Sequence, residues 1–443
     1  MNCLKPKIIA VFIILAACLG VSGYSLQYAE RDSLVPLRWK SGTIKVSVSS
    51  SLLRAANIKS DKELMEVVRR SYSRWSDVSA LEFIVTVSDK QSVSPAGRSG
   101  DGVSLLTIAA TSENLLLFQG EAAEVPARAR IFYNRKGYIT EADIALNPFT
   151  LFSTDSTPNT YDLEAVVTHE IGHQIGLGHS GIIGSTMQTN YVKNGIYGLP
   201  ATALRTLSAD DVAGIRALYG PNSEAGNCCG GIEGALKLPT GKPLKNWQVW
   251  LAETESGRIA AGSETATDGV FTFSGLPTGK YEVFIKPTGL DSTAARFSAE
   301  KVATVDVKRN ESVELAKIVK PRLSDFALDL AGFNAQLTDL AIPVNPGRQY
   351  TIYFSGSRLN SSNLKFDLGT PFIQVMPETF REEDFGKDIE VYSIQLMVRS
   401  SAPAGEYGLR VFDAAGGSSY LIGALTIDEV ENPWVTIPLP FEE

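Results

Sequence analysis

The stretch VVTHEIGHQIGLGHS, Val166 to Ser180, contains all three histidines of a 443-residue chain. His169 and His173 stand four apart in DLEAVVTHEIGHQIG, where Leu163, Val166, Val167 and Ile171 predict a helix packed on a sheet. Residues four apart share a helix face, so both imidazoles point the same way and can reach one ion. Zinc takes tetrahedral N, O or S ligands, at about 2.0 to 2.1 Å for histidine nitrogen, so two histidines leave the site incomplete. Gly176 can adopt the left-handed backbone that other residues resist. The helix is expected to end there and bring His179 round as third ligand, with a fourth position open to water. Glu170 projects about 100° away from His169 around the helix, beside the metal. Zinc lowers the pKa of a water it holds toward about 7, and Glu170 is placed to take that water's proton and pass it to a leaving amine. That is peptide-bond hydrolysis without a covalent intermediate.

The alternative is a structural site. One histidine on an apolar helix is more often a core residue, and a bare H-E-x-x-H occurs by chance. The string H-E-x-x-H-x-x-G-x-x-H fixes five positions with separate physical jobs, and the rest of the chain has no histidine.

Positioning this string requires other elements. KELMEVVRRSYSRWSDV, Lys62 to Val78, places Leu64, Val67, Val68, Tyr72 and Trp75 at helical spacing. TIKVSVS (Thr43 to Ser49), ARIFYN (Ala129 to Asn134) and YITEADIALN (Tyr138 to Asn147) read as strands, giving an α+β region from about Leu37 to Gly220.

With these elements in place, HEIGHQIGLGHS followed by Met187 in GSTMQTN resembles a metzincin metalloprotease, and Ser180 directly after the third histidine resembles the matrixin branch. RWKSGTIKVSV and SYSRWSDVSALEF are similar to that family's first strand and first helix, ITEADIALN to its strand before the catalytic helix, and LSADDVAGIRALYG to its closing helix. The resemblance implies a twisted mixed sheet with long helices over residues 35–220. It also implies His169, His173 and His179 as zinc ligands, Glu170 as general base, and Met187 as the methionine of the turn beneath the metal. Methionine also fills core gaps anywhere, so its role rests on the resemblance alone. The family binds its peptide along a sheet edge, which would be ARARIFYN here, and the segment between Met187 and Leu207 would wall the pocket for the side chain after the scissile bond. YVKNGIYGLPATALRT in that segment reads as a flexible loop. No cysteine lies between the leader and Trp39, so latency by a propeptide cysteine is not expected, and no histidine is left for the family's second zinc. Calcium could bind carboxylates such as Asp143 or Asp155.

Composition frames the site. The 443 residues are long enough for about two to four domains. A net charge of -8 with no basic patch argues against a nucleic-acid partner. Lys5 and Lys7 precede the apolar run IIAVFIILAA, so residues 1–23 read as a secretory signal, and a secreted, extracellular location follows. Two removal sites are visible: VSG before Tyr24, and LAAC ending at Cys18, which resembles a lipobox and implies a lipid anchor to a bacterial outer membrane. Cys228 and Cys229 make no disulfide framework; across a trans peptide their bridge would be strained, and a free or intermolecular pair is an equal reading.

PNSEAGNCCGG, residues 221–231, is turn-rich and marks a linker. Residues 232–318 read as a β-sandwich. GALKLPTGKPLKNWQVWLAETESGRIAAGSETATDGVFTFSGLPTGKYEVFIKP within them resembles the carboxypeptidase regulatory-like module, with turns at Asp268-Gly269 and Pro277 to Gly279 and a strand carrying Val270, Phe271 and Phe273 into a core. Residues 321–430 resemble, loosely, an immunoglobulin-like sandwich, and 431–443 read as an extended tail. The sequence thus points to a secreted zinc endopeptidase acting on proteins or peptides, with two β-sandwich domains that attach it to a surface or matrix. The competing reading is a surface binding or scaffold protein whose metalloprotease domain is inactive; a third is an enzyme acting only on its own chain or one partner.

Overall fold

Leu64, Val67, Val68, Tyr72 and Trp75, spaced for one helix face, are all buried on α1 (Leu64–Ser76) of the computed structural model. The structure describes residues 26–29, 35–60, 62–97, 99–120, 124–199, 201–226, 228–288, 297–359, 363–386 and 389–429. The leader at 1–23, with Cys18, and the tail at 431–443 lie outside the described residues.

In the first region, strands β1 (Arg38–Trp39), β2 (Thr43–Ser49), β3 (Ile58–Lys59), β4 (Glu82–Ser88), β5 (Ser104–Thr107), β6 (Ala127–Tyr133), β7 (Tyr138–Leu146), β8 (Phe152–Ser153) and β9 (Tyr161–Asp162) mix with helices α1, α2 (Ser112–Leu115), α3 (Leu163–Gln174) and α4 (Ala209–Tyr219). The main sheet runs β1-β7-β5-β2-β4, with β6 paired to β7. All its pairings are parallel except β6 with β7, so the sheet is mixed as expected. The alternation in TIKVSVS turns Ile44, Val46 and Val48 into one core with the buried faces of α1 and α3.

The second region holds β10 (Cys228–Lys237), β11 (Trp247–Glu253), β12 (Ile259–Glu264), β13 (Val270–Pro277), β14 (Gly279–Pro287), β15 (Glu300–Val307) and β16 (Ser312–Ile318). Sheets β13-β10-β16 and β12-β11-β14-β15 enclose one core, in which Phe271 and Phe273 are buried. The turn before β13 has Gly269 at φ +79°, where a Cβ would come 2.4 Å from the Leu236 carbonyl, so only glycine fits. The expected linker is shorter than its composition suggested. Its last residues, from Cys228, are already the strand β10, with backbone pairs to β13 and β16 that turn-rich composition does not reveal. Cys228 and Cys229 are bridged to each other; the peptide between them is cis, with Cα atoms 3.0 Å apart, where the reading from sequence assumed a trans link.

The third region holds β17 (Ala327–Phe333), β18 (Gln336–Thr338), β19 (Ile342–Pro343), β20 (Gln349–Ser357), β21 (Lys365–Asp367), β22 (Ile373–Val375), β23 (Arg381–Glu383), β24 (Val391–Val398), β25 (Gly405–Phe412) and β26 (Ser418–Ile427). Sheet β18-β17-β20-β24-β22, with β23 on β24, faces sheet β19-β26-β25-β21 across a core that includes Ile352, Phe354, Ile394 and Leu425. The three regions meet at a small cluster of Ile182, Trp250, Ala252, Ile259, Phe284, Tyr420 and Ile422. Among the described residues, no helix is long and apolar enough to cross a membrane.

Candidate metal and catalytic site

Helix α3 is fixed at both ends and along its length. Asp162 caps it, accepting from the Ala165 N–H at 3.0 Å, and its carboxylate is gripped by Arg205 through Nε at 2.9 Å and Nη2 at 2.5 Å. Trp75 of α1 donates its indole N–H to the Thr168 carbonyl at 3.0 Å. Gln174 is held by the Tyr72 hydroxyl at 3.1 Å and donates to the Ala142 carbonyl of β7 at 2.8 Å, which locks the helix to the sheet. The helix ends at Gln174, and Gly176 follows at φ +103°, the left-handed turn expected of it.

That turn brings His179 to the other two histidines. The Nε2 atoms of His169 and His173 lie 3.2 Å apart, as do those of His173 and His179. His169 Nδ1 is 2.7 Å from the Thr186 carbonyl and His173 Nδ1 is 2.9 Å from the Leu177 carbonyl. A carbonyl only accepts, so both Nδ1 atoms carry the proton. Burial pushes all three imidazoles below their ordinary pKa, His179 down to about 3, so they are neutral. His169 and His173 therefore aim unshared pairs at each other across 3.2 Å, an arrangement that repels unless a cation lies between. Tetrahedral nitrogen ligands at about 2.0 to 2.1 Å stand roughly 3.3 to 3.4 Å apart, close to the separation found. The donor set therefore fits zinc.

Glu170 is buried beside these rings. Burial pushes its carboxyl up to about 7, against the Tyr191 hydroxyl, the Arg128 guanidinium and the Ala129 N–H of β6, which all favour the charged form. Tyr191 donates its hydroxyl to Glu170 Oε1, while Oε2 has no partner among the described residues. Met187 lies under the helix: a Cβ on Gly172 would come 2.2 Å from its Sδ. Ser180 donates to Asp210 of α4 at 2.6 Å, and its N–H to the Met187 carbonyl at 2.7 Å, so the turn is tied to the closing helix.

Each residue singled out in the histidine string thus lies at this one place. The two carboxylates considered for calcium do not. Asp143 is buried, with its oxygens accepting from the Ser94 and Leu105 N–H groups at 2.7 and 2.9 Å, and Asp155 is exposed and bound to Ser60 and Thr157.

Three contributors were missed from sequence. Tyr191 sits on Glu170. The Thr186 carbonyl orients His169, and Gln27, from a segment bridging to Leu177, donates to the Leu177 carbonyl at 2.9 Å behind His173. Only Tyr191 had a signal, as an aromatic residue four positions after Met187. The segment read as a flexible loop is corrected as well: it forms 3-10 turns at Ile196–Gly198 and Thr202–Arg205, and buries Tyr197 and Leu199 in the core of the third region, a partner its own sequence cannot announce. Strand β6 pairs with β7 along one edge, and no other strand pairs with it among the described residues.

Comparison with known proteins agrees with this geometry. The matrixin family model matches residues 38–220, and the carboxypeptidase regulatory-like domain model matches residues 231–314. Metalloendoproteinase 1-MMP of Arabidopsis thaliana is 28% identical over 190 residues, 42% of this chain and 45% of that protein. Metalloendoproteinase 1 of Glycine max is 26% identical over 191 residues, 42% of this chain and 53% of that protein. Interstitial collagenase of Sus scrofa is 44% identical over 62 residues, 14% of this chain and 12% of that protein. The chain thus spans about half the length of the two plant relatives. Residues 38–220 are a matrixin domain, and residues 231–314 a carboxypeptidase regulatory-like domain.

Proposed function

We propose that this chain is a secreted zinc endopeptidase that hydrolyses peptide bonds in proteins, built as three domains at residues 35–220, 232–318 and 321–430. The observation that carries this reading is the convergence of the His169, His173 and His179 Nε2 atoms beside a buried Glu170 with one oxygen free. His169, His173 and His179 would hold zinc, which when bound supplies an acidified water and a polarised carbonyl. Glu170 Oε2 accepts the proton of the attacking water, and Tyr191 fixes the other carboxylate oxygen, which leaves Oε2 for that role. The same carboxyl then gives the proton to the leaving amine. The open edge of β6 takes the substrate as an added strand, with main-chain hydrogen bonds supplying register. Met187 supports the helix from below. A purely scaffolding role would leave the free Glu170 oxygen without a purpose, and burial of an unsatisfied acceptor is costly.

The test is hydrolysis of a denatured-protein mixture by residues 24–443, compared with Glu170→Ala, with zinc measured in both. The wild type is expected to cleave, and the variant to keep one zinc per chain while losing roughly 10²- to 10⁴-fold in rate. A zinc-free wild type would sink the site, and two inactive zinc-loaded proteins would favour the binding-protein reading.

A further inference from the structure

The segment that carries Tyr191 is held from outside the matrixin domain. On one side of Tyr191, Asn190 donates its amide to Asp339. On the other, Tyr197 is buried in the core of the C-terminal sandwich, its ring edge-on to Phe333 at 6.4 Å between centroids. Its backbone stands at φ +57°, a left-handed conformation that a tyrosine keeps only where its surroundings over-determine it. They do so here. The Tyr197 N–H donates to Gln336 Oε1 at 2.8 Å, the Asn334 amide donates to the Tyr197 carbonyl at 2.7 Å, and the Tyr197 hydroxyl pairs with Thr338 and donates to the Leu340 carbonyl at 3.3 Å. Every one of these partners lies on the β17–β18 hairpin or its exit.

Between the two anchors, Tyr191 reaches Glu170 through its hydroxyl and packs against His169 at 4.9 Å between ring centroids and against Tyr161 at 6.5 Å. The hairpin's grip therefore sets the position of the ring that stands over the candidate base and the first ligand. We propose that the β17–β18 hairpin of the C-terminal sandwich is a positioning element of the catalytic cleft, with Asn334 and Gln336 as positioning residues that fix Tyr191 and, with it, the wall against which a substrate side chain is read. Its consequence for substrate rests on the peptidase reading; the grip itself does not.

The test is Asn334→Gly combined with Gln336→Ala in the full chain. Asn334 stands in the hairpin turn at φ +51°, which glycine adopts without the strain alanine would add, Gln336 opens β18 and is exposed, and neither side chain is part of the sandwich core. Hydrogen exchange is read by mass spectrometry over residues 190–199 and, as a control, over β20 and β24. Exchange in 190–199 is expected to rise roughly tenfold or more, the loss that two hydrogen bonds of ordinary net strength predict, with the control strands unchanged. Steady-state kinetics on peptides differing only in the residue after the scissile bond should show higher KM and a flattened preference, with kcat lowered by a common factor on every peptide as Glu170 loses part of Tyr191's support, and zinc content kept. Unchanged exchange in 190–199 would overturn the grip. Raised exchange with an unchanged preference would overturn its role in reading the substrate. If the wild type cleaves nothing, the exchange result still decides the grip, and only the peptidase reading falls.

Discussion

Gly172 has no side chain because Met187 occupies the space where one would go. A Cβ there would come 2.2 Å from Met187 Sδ and 3.1 Å from the Trp75 ring, and Trp75 is itself pinned to the Thr168 carbonyl. Gly172→Ala is expected to cost about 1 to 3 kcal/mol by overpacking. The checks are a lower melting temperature and weaker zinc retention against a chelator, since Met187 lies in the turn whose Thr186 carbonyl orients His169. At this scale the sequence was most readable where one residue type does one job. The three histidines, Glu170 and Gly176 declare themselves through spacing, because helix geometry converts spacing directly into direction. Tyr191, Thr186 and Gln27 do not, because each acts through a contact that exists only once distant segments meet. Thr186 contributes a carbonyl that any residue could supply.

The helix that presents the histidines depends on one carboxylate at its start. Asp162 both caps α3 and holds Arg205, so Asp162→Ala removes a cap, typically worth about 0.5 to 2 kcal/mol, and leaves a half-buried guanidinium without its partner. Total loss is expected at about 2 kcal/mol or more, measured by chemical denaturation, while Asp162→Asn should recover part of it by keeping an acceptor for the Ala165 N–H. Elements with a clear period were legible close to their observed bounds: α1, β2 and β7 lie within the segments read as helix or strand, α1 and β2 because each turns one apolar face to a core, while α4 lies within the segment that the family resemblance alone gave as a closing helix. The segment after Met187 was not. Tyr197 and Leu199 are spaced like loop residues and are buried by a sheet from more than a hundred residues further along the chain. The same physics hid the start of β10, whose glycines read as a linker yet pair on both sides.

Across the whole molecule, the meeting point of the three regions is more than an apolar contact. The Ile183 N–H donates to the Ile422 carbonyl at 2.9 Å, Gln248 donates to the Gly181 carbonyl at 3.1 Å, and the Gly262 N–H donates to Asp210 at 2.7 Å, all beside the chain that leads into Met187. Glu406 is buried in this junction, where burial and the facing carboxylates Asp211 and Asp210 push it up to about 8 against the pull of Arg258. In the unfolded chain it would titrate near about 4.3. Between those values the folded protein holds a proton that the unfolded chain has released, so stability falls as pH rises from about 4.5 to 8 and levels off above. Asp143, pushed up to about 7 by burial, acts in the same sense. Glu406→Gln should keep the packing and give a shallower decline of melting temperature across that window; an equal slope in both proteins would assign the titration to other groups. Composition and turn spacing foretold the β-rich regions of this architecture, but not how tightly they hold the first.

Because His169, His173 and His179 are the chain's whole complement of histidine, the imidazole nitrogens of the intact protein form a background-free spectroscopic window onto one spot. Nitrogen-15 label introduced through histidine alone would place every signal within a few ångströms of the candidate base. Tautomer, metal occupancy and ligand arrival could then be followed in a chain of this size without assigning any other residue.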